Sequence, residues 1–176
     1  MVAQVSPPSF DGPTLSSPTA EPPLALRDYL GHPVDISTYR GKAVLVTFLY
    51  THCPDVCPLI TASLHNTLVR LGSEATKVQI IAVSTDPKGD TPGAVSEFLA
   101  RHEMTGRMEY LIGDHAALRP VWQAWGITAS DPSVNDAVNH TALVYGISGS
   151  GRVMTVYPAN FKPSTLVHDV ALLASL

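Results

Sequence analysis

Residues 43–49, AVLVTFL, are a near-continuous apolar run that gives way at once to Tyr50-Thr51-His52-Cys53-Pro54-Asp55-Val56-Cys57-Pro58. An apolar run of that length bounded by a turn is a buried strand, read here over residues 43–50. Proline lacks an amide hydrogen and is tolerated in a helix only in the first turn, so the spacing predicts a helix starting at Pro58 with Cys57 at its cap. Ile60, Leu64, Leu68 and Leu71 recur at helical spacing and Gly72 follows as the stop. Cys53 then lies in the loop just before the helix, and both sulfurs sit near its positive end, where the dipole favours the thiolate.

These are the only 2 cysteines in 176 residues. They are too few for the disulfide framework of a small secreted scaffold, and a chain of this length buries a core without one. The pair therefore asks for a redox or a metal explanation. A disulfide needs Cβ atoms roughly 3.5 to 4.5 Å apart, which a three-residue gap across a loop and helix start can reach. The same two sulfurs can instead share one soft metal ion.

A hydrophobic fraction of 45% with 15% charged residues suits one domain with a full core. The expected division is a flexible lead-in over residues 1–23, rich in Pro, Ser and Thr, and one domain over 24–176. The net charge of -4 is carried without any basic cluster, which speaks against nucleic acid or an anionic membrane surface as partner. The first 23 residues have neither the basic start nor the apolar centre of a signal peptide.

Further strands are expected at 78–84 and 109–112. A helix capped by Thr91 with Pro92 first should lie between them, and another capped by Asp114 should follow, with Pro120 kinking it or delaying its start. Residues 141–147 and 152–157, around Ser148-Gly149-Ser150-Gly151, read as a β-hairpin, and 164–174 as a closing helix. The order describes an α/β chain of thioredoxin-like fold: a mixed central sheet flanked by helices, with a C-terminal hairpin and helix.

Three blocks, GKAVLVTFLYTHCPDVCP (41–58), STDPKGDTP (84–92) and VNHTALVY (138–145), resemble in order the three signatures of the Sco/SenC proteins. The resemblance spans about residues 24–174. It implies a copper-binding, thioredoxin-like protein that helps assemble the copper centre of cytochrome c oxidase. Such a protein faces the outside of the plasma membrane, tethered by an N-terminal anchor not present in this sequence. Carried over by position, Cys53 and Cys57 match the copper thiolates and His140 the imidazole ligand; Asp86 matches an acidic residue that supports the site or faces a partner. The implied partners are the copper-centre subunit of the oxidase and another copper chaperone as donor, with the protein itself a monomer. The chain departs from the pattern at Asn139, where Asp is common, and at Gly146-Ile147-Ser148, where Leu-Ile-Asp often follows the tyrosine.

Two thiolates and an imidazole form a soft set suited to Cu(I), and with an added oxygen they hold Cu(II). Structural zinc wants four ligands, which this chain does not offer in a motif, while a catalytic zinc with three ligands and a water stays open. Plainer readings compete residue by residue. His140 by itself would be a surface histidine, His52 a solvent-facing loop residue, and Asp86 a turn former before Pro87. Met104 and Met108 read as core filling and Trp122 and Trp125 as core or cleft wall. The expected function is a metallochaperone rather than an enzyme. The alternative is a thiol-disulfide oxidoreductase with Cys53 and Cys57 as its redox-active pair, reducing the cysteines of the copper-centre subunit. The CxxxC spacing, against the CxxC of general reductants, favours metal.

Overall fold

The computed structural model describes residues 9–127 and 142–176. Eight strands form one sheet in the order β1-β8-β7-β4-β5-β6-β2-β3. In chain order they are β1 Thr14–Ala20, β2 Ala25–Asp28, β3 Pro33–Asp35, β4 Ala43–Leu49, β5 Val78–Ser84, β6 Glu109–Ile112, β7 Leu143–Ile147 and β8 Arg152–Pro158; the helices are α1 Val56–Leu71, α2 Pro92–Arg101, α3 His115–Ala124 and α4 Pro163–Ser175. The centre is parallel, β4 on β5 and β5 on β6, and β7 lies antiparallel against the other side of β4.

The apolar run works because β4 is covered on both faces. Ala43, Leu45 and Leu49 point to one side with Ile60, Leu64 and Leu68 of α1, Phe98 of α2 and Leu166, Val170 and Leu173 of α4. Val44, Val46 and Phe48 point to the other with Leu118, Val121 and Trp122 of α3. Side chains alternate across a strand, so a strand between two helical layers is apolar on both faces, and its one polar residue, the buried Thr47, donates its hydroxyl to the Leu143 carbonyl at 3.0 Å. Met104, Met108, Trp122 and Trp125 are buried core residues, as the sequence suggests.

The structure refines the sequence expectations in several places. α1 begins at Val56, two residues before Pro58, because Asp55 caps it by accepting the Val56 N–H at 2.6 Å. The first four amides of a helix have no intrahelical acceptor, so Pro58 fits within the first turn as well as at its start. Cys57 therefore lies inside the helix. Residues 14–20, expected in a flexible lead-in, form β1 on the edge of the sheet, paired antiparallel with β8. Of the two effects expected of Pro120, a delayed start does not occur: α3 starts at His115, with Asp114 accepting the Ala117 N–H at 2.8 Å, and carries the proline inside. The short strands β2 and β3 were not anticipated; they extend the sheet beyond β6.

The entry of the chain is fastened to α4. The buried Asp169 carboxylate accepts the N–H groups of Asp11 and Gly12 at 2.7 and 2.9 Å, the Tyr157 hydroxyl at 2.8 Å, and faces His168 Nδ1 at 2.8 Å. Gly12 is required there: a Cβ would run into the Tyr157 ring.

Candidate metal centre

The two cysteines come together where β4 hands over to α1. Cys53 sits half-buried in the turn, its N–H donating to the Tyr50 carbonyl at 3.3 Å. The Cys57 N–H, in the first turn of α1, donates to Cys53 Sγ at 3.4 Å. Both cysteines are free, and Cys57 is 1% exposed. The geometry gives an accessible sulfur resting on the amide of a buried one.

The electrostatics depart from the sequence expectation that the helix end favours thiolate. Burial pushes the Cys57 thiol well up, and the neighbouring Cys53 sulfur adds to this, while a backbone hydrogen bond from Tyr50 opposes it. Desolvation outweighs the helix end at this depth. The Tyr50 phenol, packed beside the pair, is pushed up to about 12 by burial and by Cys53.

A buried carboxylate lies beneath the turn. Asp90 Oδ1 accepts the Thr51 N–H and the Thr51 hydroxyl, both at 2.8 Å, and Oδ2 accepts the hydroxyls of Ser84 at 2.6 Å and Tyr110 at 3.0 Å. Burial raises its pKa against the pull of these hydrogen bonds. Nothing in the sequence reading singled out Asp90. Its only signal is a second aspartate four residues after Asp86, just ahead of the Thr91 cap.

Asp86 organises the turn after β5, as its plain reading has it: Oδ1 accepts the Gly89 N–H at 3.0 Å, and a Cβ at Gly89 would collide with Oδ2. His52 is exposed, as expected, but its ring is not isolated. One ligand atom each from His52, Asp86 and Asp90 lies within 4.8 Å of the others. A carboxylate oxygen offers two lone pairs, and both oxygens of Asp90 already accept two donors, so only His52 and Asp86 of this group have donor capacity to spare. His140 and Asn139 lie outside the described residues.

Two free cysteines on one turn fit a soft ion that tolerates low coordination, with copper fitting better than zinc. They equally fit reversible disulfide formation, since both cysteines are free and the Cys53 sulfur already lies on the Cys57 amide.

Known proteins place this arrangement. Residues 13–175 match the SCO1/SenC family model. The SCO1 protein homolog of Bacillus subtilis is 25% identical over 163 residues, covering 88% of this chain and 82% of the relative. The mitochondrial SCO1 homolog of Homo sapiens is 24% identical over 89% of this chain, which spans 54% of that protein's length. Among solved structures, ScoI of Bradyrhizobium japonicum with copper bound superposes with a TM-score of 0.76 at 30% identity, covering 88% of this chain and 99% of that one. A match of family model, sequence and fold across the whole sheet and the cysteine turn shows that this chain belongs to the SCO1/SenC family.

Proposed function

We propose that the protein is a copper metallochaperone that carries one copper ion on Cys53 and Cys57, with His140 as third ligand, and passes it to the copper-centre subunit of cytochrome c oxidase. The observation that carries this reading is the pairing of two free cysteines at the strand-to-helix turn, with the amide of Cys57 donating to the sulfur of Cys53. It is supported by a relative of the same fold solved with copper and by the description of Sco proteins as cytochrome c oxidase assembly proteins. Copper is cargo here, so release matters as much as binding. Ligand exchange begins at the accessible Cys53 and ends with the buried Cys57 regaining its proton, which its raised pKa favours. Asp86 lies at the rim as a partner-facing group. Another copper chaperone serves as donor, and the work is done on the periplasmic side of the plasma membrane by an anchored, monomeric protein whose folded unit is residues 24–176 together with β1.

The asymmetry of the thiols favours a second reading, disulfide reduction. In that reaction the Cys53 thiolate attacks an acceptor disulfide to form a mixed disulfide, and Cys57 resolves it. The protein ends oxidised as a Cys53–Cys57 disulfide, and the acceptor leaves as a dithiol with the two electrons.

The test is titration of the reduced protein with Cu(I), followed by loss of reactive thiols. The parent should bind one equivalent, and Cys57→Ser should lose tight binding. Equal binding by Cys57→Ser would refute the metal reading. His140→Ala should weaken Cu(II) more than Cu(I), because nitrogen matters more to the harder ion. The loaded protein should deliver metal to a reduced copper-centre domain. If it transfers none, while the copper-free protein reduces that domain catalytically, the reductase reading holds instead.

A further inference from the structure

We propose that Asp90 is the positioning residue of the cysteine site: its carboxylate joins the buried ends of β5 and β6 to the cysteine turn and so sets the approach of Cys53 to Cys57. The inference rests on the cysteine pair being the working site. Asp90 is 3% exposed, and a carboxylate at that depth is costly unless every lone pair is satisfied. Here all of them are. One oxygen is spent on Thr51, two residues before Cys53, through both its amide and its hydroxyl. The other is anchored by Ser84 at the end of β5 and by Tyr110 in β6. Ser84 is itself held, its hydroxyl accepting the Asp86 N–H at 3.1 Å and its carbonyl accepting the Trp122 indole N–H at 2.9 Å.

The carboxylate thus converts a frame fixed by packing on both faces of the sheet into two hydrogen bonds on the strand-to-helix turn. With the turn pinned at Thr51 and α1 capped at Asp55, Cys53 has little freedom except to lie over the Cys57 amide. The same saturation argues against Asp90 as a metal ligand. Its role is in the spacing of the sulfurs, which decides how readily they close on each other or on a shared ion.

The experiment measures the equilibrium of the metal-free protein with glutathione, in which protein dithiol and glutathione disulfide give protein disulfide and two glutathione thiols. Freeing the turn lowers the effective concentration of one sulfur at the other, so Asp90→Ala should shift this equilibrium about tenfold toward the dithiol, about 30 mV for a two-electron couple. Asp90→Asn keeps an acceptor for Thr51, and the Ser84 and Tyr110 hydroxyls can rotate to accept from its amide, so it should stay within about twofold of the parent. Thr51→Val removes one of the two bonds and should shift the equilibrium about threefold in the same direction, with the urea midpoint little changed. A merely structural aspartate would move the urea midpoint and leave the thiol equilibrium alone.

Asp90→Ala within about twofold of the parent overturns the proposal, as does an Asp90→Asn shift as large as that of Asp90→Ala, which would assign the effect to charge. Should Asp90→Ala fail to fold, Thr51→Val decides, and a shift under about twofold overturns the proposal. Copper binding by the parent is measured alongside. A parent that binds none refutes the chaperone reading, while the glutathione comparison still decides the role of Asp90.

Discussion

At the scale of single residues, the two cysteines are chemically unequal although they share one turn. Cys53 is half-exposed, whereas Cys57 is buried and its thiol pushed up by desolvation. Alkylation at neutral pH should therefore modify Cys53 in Cys57→Ser at least about tenfold faster than Cys57 in Cys53→Ser, read by mass spectrometry over time. Equal rates would contradict the burial of Cys57. A second residue-scale effect lies at the chain entry, where His168 is raised above 6.5, first by its hydrogen bond to Asp169 and then by the charge of Asp11. A raised folded-state pKa means the protonated form stabilises the fold; that contribution is complete below 6.5 and fades as pH rises through the raised value. The difference in urea midpoint between the parent and His168→Gln should be greatest at acid pH and close on the alkaline side. The cysteine pair was legible in the sequence because its signal is local, an apolar run followed by Cys, Pro and Asp at short spacing. Asp90 was not, since its partners Thr51, Ser84 and Tyr110 come from three separate segments that only the sheet brings together.

At the scale of elements, periodicity and caps carried the reading where burial is two-sided and failed where tertiary pairing decides. The strand 78–84 and the caps Thr91 and Asp114 stand where the sequence put them. β1 did not announce itself, because TLSSPTA is polar, carries Pro18 and is a strand only through pairing with β8 across a register shift. Its attachment depends on Asp169. Asp169→Ala leaves the Asp11 and Gly12 amides and the Tyr157 hydroxyl without their acceptor and should cost about 1–3 kcal/mol, with residues 9–20 becoming sensitive to protease first. Leu64→Ala, in the middle of the buried face of α1, should cost about 2–5 kcal/mol by urea denaturation, since the fully buried side chain belongs to the core cluster formed with β4, α2 and α4.

At the scale of the whole molecule, binding and folding are linked. Any ion held by Cys53 and Cys57 in the fold and not in the unfolded chain adds about 2.7 kcal/mol when its free concentration is 100 times its Kd, so Cu(I) should raise the melting temperature of the reduced parent and leave Cys53→Ser unmoved. The topology adds a consequence of the Asp169 clasp. β1 runs antiparallel to β8, β8 to β7 and β7 to β4, so β1 starts at the end of the sheet where β4 delivers the cysteines and runs away from it. Asp11 and Gly12 are fastened beside Tyr157, which aligns with Val144 and, through it, with Thr47 of β4. A pull on the chain ahead of Asp11 is therefore felt at the same end of the sheet that carries the cysteine turn. A surface to which that end was tied would face the cysteine turn, at a distance set by the length of chain between the surface and Asp11, at most about 3.6 Å for each residue.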